Sequence, residues 1–188
     1  EPRPPYRLPE LLAARPDTPI VVVEGEKVAE AARSCGLLAT TSAGGAQAAR
    51  KTDWGPLRQR QVIVLPDNDE AGWRYADDVT HLAYAAGAKD VRILRLAKFA
   101  SKLPQGGDLA DVLADERWCG LPLGDTATPK DLGRWILATA AGIEPWMPES
   151  VELLDWKPYP VDALPEPFQA FVQETARAIG CNETYVAL

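Results

Sequence analysis

The chain has 188 residues, of which 46% are hydrophobic and 25% are charged, and its formal net charge is −7. This length and composition are typical of a globular protein with one substantial core and at most a small appendage. The negative charge argues against a self-sufficient nucleic-acid binder, because phosphate contacts dominate the affinity of such proteins. No apolar run approaches the roughly 20 residues that span a bilayer, so no membrane partner is expected.

The cysteines and the histidine exclude several kinds of site. Cys35, Cys119 and Cys181 are widely spaced and lack the paired spacing of a zinc site. They are expected to be reduced thiols, which predicts a cytoplasmic protein. His81 is the single histidine, so a multi-histidine zinc or iron site cannot be built within this chain. The chain begins without methionine and ends in an apolar stretch, and we expect it to be part of a longer polypeptide.

From Pro19 onward, apolar β-branched runs alternate with helical patterns, which is typical of parallel α/β units. Residues 1–18 are rich in proline and are expected to form a linker with at most a short helix. In chain order, the elements predicted after this linker are a strand at 20–23, a helix that Gly36 ends, a strand at 37–41, one or two short helices within 47–60, a strand at 62–65, a helix at 70–86, a strand at 91–96, a short helix from 108, and a helix at 129–141 with Thr128 as its N-cap. This order predicts an α/β domain at residues 19–142, with a Rossmann-like parallel sheet of about four strands flanked by helices.

The composition changes after this domain. Six prolines lie between Pro145 and Pro167, together with tryptophan and acidic residues. Residues 143–167 are therefore expected to be a linker. Residues 168–188 open with helical periodicity and are expected to begin a following domain, so the fold has a C-terminal linker and helical extension.

Carboxylates follow two of the predicted strands at the point where each strand ends. Glu24 comes directly after the first strand, and Asp67 and Asp69 follow the strand at 62–65. In open α/β sheets, ligands bind in the crevice at the carboxyl ends of the strands, so we expect these side chains to lie close together. Three carboxylates without basic partners repel one another unless a divalent cation neutralises them. This pattern predicts a site for Mg²⁺ or Mn²⁺.

The spacing of the two aspartates suits magnesium. This ion takes octahedral oxygen ligands and is typically held by one or two carboxylates, with substrate phosphates and water completing its shell. Glu24 is expected to be a further ligand or a general acid/base. The alternative is that Asp67 and Asp69 form only a turn and a cap for the helix that follows.

Together these motifs resemble the TOPRIM domain, the catalytic core shared by bacterial-type primases, type IA and type II topoisomerases and certain nucleases. The resemblance covers roughly residues 18–116. The motifs that carry it are Glu24-Gly25 after an apolar strand, Asp67-Asn68-Asp69 with Ala71-Gly72 after it, and Asp108-Leu109-Ala110-Asp111 after a fourth strand. The resemblance implies that Glu24 is the catalytic acid/base and that the metal is held by Asp67 and Asp69, with Asp108 and Glu24 as further ligands.

Within this superfamily, Glu24-Gly25-Glu26-Lys27 and the loop at 42–46 look most like primases and primase-helicases of phages, plasmids and integrated elements. The resemblance implies a magnesium-dependent nucleotidyl transferase in DNA replication, with nucleoside triphosphates and a single-stranded DNA template as partners. Residues 159–188 resemble, more weakly, the beginning of a helicase-like portion, which implies a helicase domain in the same longer chain. Primase-type domains often carry an acidic residue four positions after the glutamate. Val28 stands there in this chain, which argues against a second metal at that position.

Two other functions stay open. A TOPRIM-type nuclease would hydrolyse phosphodiesters with the same carboxylates and a metal-bound water. A non-catalytic module would bind nucleic acid or a partner helicase, which Val28 and the net charge permit. A topoisomerase is not expected, because no tyrosine of the chain is marked as a nucleophile.

Candidate phosphate- or nucleic-acid-binding residues lie around the acidic motifs. They are Lys27, Gly44, Gly45, Arg50, Lys51 and Arg74. The glycines would let backbone N–H groups approach a phosphate, and a tight turn alone would also explain them. The basic residues, together with Arg58 and Arg60, form either a phosphate-binding group or a solvated surface.

Three further residues near the predicted site have a structural explanation. Asp111 is expected to be a solvated helix residue rather than a ligand. Trp54 and Trp73 flank the site in sequence and are expected to pack in the core or in a lid rather than to stack on bases.

Overall fold

The structure is a computed structural model that describes residues 2–148 and 160–179. The chain divides into two compact units, one within residues 1–148 and the other within residues 149–188. Across the described ranges, no helix is long and apolar enough to cross a membrane.

The first unit alternates strands and helices as the sequence predicts. Its elements are α1 (Leu8–Ala13), β1 (Ile20–Val23), α2 (Glu26–Ser34), β2 (Leu38–Thr40), β3 (Gln61–Leu65), α3 (Glu70–Ala85), β4 (Asp90–Ile93), α4 (Leu109–Ala114) and α5 (Pro129–Ala141). Short 3₁₀ turns lie at Ala46–Lys51, Gly55–Leu57, Leu96–Lys98 and Trp118–Gly120. In the second unit, a 3₁₀ turn at Val161–Ala163 precedes α6 (Glu166–Ile179).

The four strands form one parallel sheet in the order β2-β1-β3-β4. Val22 of β1 is in register with Thr40 on one side and with Val64 on the other. The predicted fold class is therefore confirmed: an α/β protein with a Rossmann-like parallel sheet, flanking helices and a helical C-terminal part.

The sheet is buried on both faces, which explains why its strands read as continuous apolar runs. Successive side chains of a strand point to opposite faces. Val21 and Val23 of β1 lie in the core that α2, α4 and α5 cover. Ile20 and Val22 lie in the second core, which α3 covers. The two helices that follow β1 and β3 thus pack on opposite faces.

This arrangement creates a reversal of strand order between β1 and β3. From β1 the chain crosses through α2 to β2 on one side, and after β3 it continues through α3 to β4 on the other. In doubly wound sheets, such a switch point opens a crevice at the carboxyl ends of the two strands. Any site built from the ends of β1 and β3 lies there.

Some element boundaries differ from the sequence-based ones. The fourth strand was expected over 91–96, but β4 ends at Ile93 and the chain then turns into the 3₁₀ turn Leu96–Lys98. Helix α6 begins at Glu166, inside the region expected to be a linker. Pro167 explains this earlier start, because a proline in the first turn of a helix leaves no hydrogen bond unmade. Residues 149–159 of the expected linker and residues 180–188 lie outside the described residues.

The predicted start of α5 is confirmed in detail. The Thr128 side chain accepts a hydrogen bond from the Asp131 backbone N–H, and the Asp131 carboxylate accepts one from the Thr128 N–H. Cys35 and Cys119 are buried and unpaired with one another, and Cys181 lies outside the described residues.

Candidate functional site

The first two predicted site residues stand at the ends of neighbouring strands. Glu24 is the residue after β1, and Asp67 lies two residues after β3. The last residues of these strands, Val23 and Leu65, are register partners. Because paired strands lie about 4.8 Å apart, both carboxylates enter the crevice at the switch point.

One oxygen atom of each of these two carboxylates is buried without a hydrogen-bond donor. Glu24 Oε2 and Asp67 Oδ1 are buried, and no described residue forms a hydrogen bond with either atom. A buried carboxylate oxygen without a hydrogen-bond donor is unfavourable in its charged form. These two atoms are therefore the part of the crevice that most needs a proton or a cation.

The pKa values of both carboxyl groups are raised, which shows that their charged forms are unfavourable here. Burial, and then the charges of Glu24, Asp108, Asp69 and Asp111, raise the pKa of Asp67 to about 7. Burial, followed by the charges of Asp69 and Asp108, also raises the pKa of Glu24, while contact with the Asp67 carboxyl group opposes this shift. The structure thus brings Glu24, Asp67, Asp69 and Asp108 together, with Asp111 beside them, into one group that we call the acidic cluster.

Two members of the acidic cluster also cap helices. Asp69 Oδ1 accepts a hydrogen bond from the Gly72 N–H at 2.8 Å and begins α3. Asp108 Oδ1 accepts hydrogen bonds from the Ala110 and Asp111 N–H groups and begins α4. The helix-cap alternative is therefore correct for Asp69, whereas Asp67 caps no helix. In both capping aspartates the cap is made by Oδ1.

Asp111 has a different role from the one expected. Its Oδ2 accepts a hydrogen bond from the Asp108 backbone N–H at 2.9 Å, which completes a capping box at the start of α4. The prediction of a simply solvated helix residue was wrong for this reason. Asp111 fixes the orientation of Asp108, and its charge adds to the acidic cluster.

The described part of the chain contains no ready-made group of three or more His, Cys, Asp or Glu side chains for a metal ion. The chemistry of the acidic cluster nevertheless fits a hard divalent cation, because every donor is an oxygen. Glu24 and Asp67 supply the buried oxygens without partners. Asp69 and Asp108 could contribute Oδ2.

Gly72 lets α3 begin directly against the Asp67 backbone. A Cβ atom at this position would lie 2.5 Å from the Asp67 carbonyl oxygen and 2.8 Å from its nitrogen. Only a residue without a side chain fits such a close approach. The glycine three residues after Asp69 is the sequence signal for this contact.

Asn68 connects the β3 end to the loop before α4. Its backbone N–H donates to the Gly107 carbonyl, and its own carbonyl accepts from the Gly106 N–H, both at 2.9 Å. Its side-chain amide donates to the Pro104 carbonyl, also at 2.9 Å. These bonds place Asp108 beside Asp67. Sequence reasoning missed this positioning residue, whose only signal is its place between the two aspartates.

Tyr75 connects the β1 end to the glycine loop. Its hydroxyl donates to the Val23 carbonyl at 3.0 Å and accepts a bond from the Ser42 N–H at 3.3 Å. The side chain is only 2% exposed, so it holds the loop in place and is not available as a nucleophile. No sequence pattern marks Tyr75 for this task.

The glycine loop is a tight turn. Gly44 and Gly45 have φ angles of +108° and +77°, in the region that favours glycine. The Gly45 N–H donates to the Ser42 carbonyl at 3.2 Å, and the Ser42 hydroxyl donates to the Gly45 carbonyl at 2.7 Å. The turn explanation is thus correct, and phosphate binding by this loop stays a prediction.

The predicted basic residues differ in how far they are already paired. Lys27 Nζ lies 3.9 Å from Asp108 Oδ2 at the border of the acidic cluster, with most of its side chain exposed. Arg50 forms an ion pair with Asp78 at 2.8 Å, and Arg74 forms one with Glu70 at 2.6 Å. Both arginines thus have carboxylate partners in solvent-exposed ion pairs, and phosphate binding by them stays a prediction.

The other basic residues do not complete a patch. Arg60 is buried and donates to the Thr18 carbonyl at 3.1 Å, so its role is structural. Lys51 is exposed at the end of the 3₁₀ turn Ala46–Lys51, and Arg58 is also exposed. The expected group is therefore not one continuous cationic surface.

The two tryptophans near the site behave differently. Trp54 is 4% exposed, and its indole N–H donates to the Ala49 carbonyl at 2.9 Å, so core packing is confirmed for this residue. Trp73 is 43% exposed, so core packing is wrong for this residue, and a role in a lid stays a prediction. The Arg95 guanidinium lies 5.3 Å from the centre of its ring.

No family model matches this chain, and neither a curated protein nor a solved structure matches it. The resemblance to the TOPRIM domain thus depends on the sequence motifs and stays a prediction. The fold and the acidic cluster define the class: an α/β protein that gathers carboxylates where its parallel strand order reverses.

Proposed function

We propose that the acidic cluster binds Mg²⁺ or Mn²⁺ and that the protein is a primase-type nucleotidyl transferase. It would act in the DNA replication of a phage, plasmid or other mobile element. One observation carries the proposal: Glu24 Oε2 and Asp67 Oδ1 are buried side by side at the switch point, without hydrogen-bond donors among the described residues. The resemblance to TOPRIM motifs favours primer synthesis among the reactions that such a site serves.

The cation would be held by Asp67 and by Asp69 Oδ2, with Asp108 Oδ2 and Glu24 as further ligands, of which Glu24 is not essential for binding. When bound, it supplies positive charge that aligns the phosphates of a nucleoside triphosphate and offsets the negative charge that develops during transfer. An all-oxygen donor set suits this ion, and removing the mutual repulsion of the carboxylates favours its binding.

The residues of the chain have separate tasks in this proposal. Glu24, whose pKa is raised by burial and by neighbouring carboxylates, is the acid/base group that takes the proton of the attacking hydroxyl. Lys27 holds a charged amine at the border of the cluster, where a phosphate would approach. Tyr75 and Asn68 keep the β1 end and the Asp108 loop in position.

The proposed partners follow from the same function. They are nucleoside triphosphates, a single-stranded DNA template and a helicase domain in the same longer chain. A cytoplasmic location is part of this proposal.

The test is primer synthesis by the full protein on single-stranded DNA with nucleoside triphosphates and Mg²⁺. Glu24→Gln removes the titrating group but keeps the shape, so synthesis should fall by about 10²- to 10⁴-fold while metal binding largely persists. Asp67→Asn weakens a ligand, so both synthesis and calorimetric Mg²⁺ binding should be lost. The matched controls are Glu116→Gln and Asp125→Asn, which change exposed carboxylates elsewhere.

Each alternative function has its own result in this assay. Cleavage of DNA that depends on Glu24, without primer synthesis, would identify a nuclease. Wild-type rates in Glu24→Gln for both reactions would refute the catalytic assignment and favour the non-catalytic binding module. Unchanged Mg²⁺ binding in an Asp67→Asn, Asp69→Asn double variant would place the ion elsewhere. Asn caps a helix about as well as Asp, so this double variant keeps the start of α3.

A further inference from the structure

A second functional feature lies where β4 ends. Residues 91–107 contain four cationic side chains and no carboxylate, although the whole chain carries a net charge of −7. The first cation, Arg92, donates to the Ala140 and Ala141 carbonyls at the end of α5, so it is structural. Arg95 and Lys98 are exposed, and neither forms an ion pair within 4.0 Å among the described residues. Unlike Arg50 and Arg74, these two cations are available to a ligand.

Two exposed aromatic side chains accompany these cations, Trp73 beside Arg95 and Phe99 next to Lys98 in the chain. Arg95 lies over the exposed Trp73 ring. Arg95 and Lys98 are three residues apart across a 3₁₀ turn, a spacing that places both on the same side of the turn. Phe99 is 40% exposed and is supported by an edge contact with Trp135, with ring centres 5.5 Å apart. We call Trp73, Arg95, Lys98 and Phe99 the aromatic–cationic strip.

The strip borders the acidic cluster. Trp73 is in the first turn of α3, and its backbone N–H donates to the carbonyl of the capping Asp69 at 3.0 Å. The segment that carries Arg95 returns to the cluster through the loop that Asn68 holds. A Cβ atom on Gly106 in this loop would lie 3.6 Å from Asp69 Oδ2. A chain bound along the strip would therefore reach the carboxylates.

We propose that the aromatic–cationic strip binds single-stranded nucleic acid. Bases would stack on Trp73 and Phe99, while Arg95 and Lys98 would contact phosphates. Proteins that bind single strands combine cations along the backbone with aromatic platforms for unpaired bases. A duplex keeps its bases stacked inside and cannot use such platforms. This inference rests on the proposed function, because the strip would guide a template strand to the acidic cluster.

The test is fluorescence anisotropy with a labelled oligothymidine of about 12 nucleotides, within the range of single-strand site sizes, and with a duplex of equal length. The full chain is measured in EDTA, so that binding does not depend on a cation at the acidic cluster. Trp73→Ala should weaken single-strand binding by about 5- to 150-fold, the range for loss of one stacked base. The substitution is at an exposed position, and circular dichroism checks that the variant is folded.

A charge-matched pair of double variants separates a local site from general electrostatics. Arg95→Ala with Lys98→Ala should weaken binding and reduce the slope of log affinity against log salt by about 1.4, from two lost phosphate contacts. Arg58→Ala with Lys89→Ala removes the same charge from exposed positions before β3 and β4, at the opposite edge of the sheet. This control should retain affinity to within about 2-fold, since charges beyond a Debye length are screened.

Three results would overturn the proposal: equal weakening in the two double variants, no effect of Trp73→Ala, or a wild-type chain that binds the duplex as tightly as the single strand. A protein that binds the single strand through this strip but synthesises no primer would support the strip and refute the proposed catalytic function. The two conclusions therefore fail separately.

Discussion

At the scale of single residues, Asp67 has the most unfavourable surroundings for its charged form. Burial and four neighbouring carboxylates raise its pKa from 3.8 to about 7. The folded chain therefore keeps this proton over a pH range in which the unfolded chain has released it. Each ionisation of a group with a raised pKa is linked to a loss of folding stability.

This pKa predicts a pH-dependent penalty in the metal-free chain. Well below its unfolded pKa of 3.8, Asp67 is protonated in both states and contributes no penalty. The penalty grows as the pH rises from the unfolded pKa to the folded pKa of about 7, and above that pH it is complete. Asp67→Asn removes the titrating group. Urea unfolding in EDTA should therefore show a gain in free energy of unfolding for this variant at about pH 8 that is much smaller at about pH 4.

Asp125→Asn is the control for this comparison, because it changes an exposed aspartate outside the cluster. Its effect on the free energy of unfolding should be small and independent of pH. A gain in Asp67→Asn that is equally large at both pH values would contradict the raised pKa.

At the scale of elements, the start of α3 depends on one close contact. Gly72→Ala would place a methyl group 2.5 Å from the Asp67 carbonyl oxygen. Alanine is the better helix former by about 1 kcal/mol, but overpacking against backbone typically costs about 1–3 kcal/mol. We expect the contact to dominate, so that urea unfolding shows a net destabilisation and Mg²⁺ affinity falls as Asp67 moves.

Gly124→Ala provides the matched control. A Cβ atom at Gly124 would meet no described atom within 4 Å, and its backbone does not require glycine. This substitution should leave both stability and Mg²⁺ affinity near the wild-type values. If Gly72→Ala also leaves both values unchanged, the close approach of α3 to Asp67 contributes neither to stability nor to Mg²⁺ binding.

Much of the fold and part of the site follow from local patterns. Strands buried on both faces read as β-branched runs, and parallel strands end at the same edge, so the positions of Glu24 and Asp67 could be predicted. The roles of Asn68 and Tyr75 could not, because their partners lie far away in sequence. Each contact depends on packing between elements rather than on periodicity.

The available cations could not be identified from sequence for a similar reason. In the sequence, Arg50 follows the glycine loop and Arg74 follows the second acidic motif, but each forms an ion pair with a carboxylate of α3. Arg95 and Lys98 were expected within or just after a strand. The structure instead turns the chain after Ile93, which leaves both side chains exposed and places Arg95 over the Trp73 ring.

For the whole molecule, cation binding should appear as a gain in thermal stability. A ligand that binds only the folded state stabilises it by about 2.7 kcal/mol at 100 times its Kd. For a chain of this size, each 1 kcal/mol corresponds to about 2–4 °C in Tm. We expect differential scanning calorimetry to show a Tm that rises with Mg²⁺ in the wild-type chain and stays constant in Asp67→Asn.

Sodium chloride at equal ionic strength is the control in this experiment, since general screening also relieves repulsion within the acidic cluster. The rise in Tm should be specific to the divalent ion. If both salts raise Tm equally, screening rather than a bound cation explains the effect.

The pairing of β1 with β3 also has a kinetic consequence. Glu24 and Asp67 are far apart in sequence, and they meet only after the chain has passed through α2 and β2 and returned to the sheet. Closing the intervening segment costs chain entropy, and we expect the contact between Glu24 and Asp67 to form after the folding transition state. A cation held between these two residues would stabilise the native state but not the folding transition state, in which this contact has not yet formed. It would therefore act mainly by slowing the escape from the native state, and would leave the rate of folding almost unchanged.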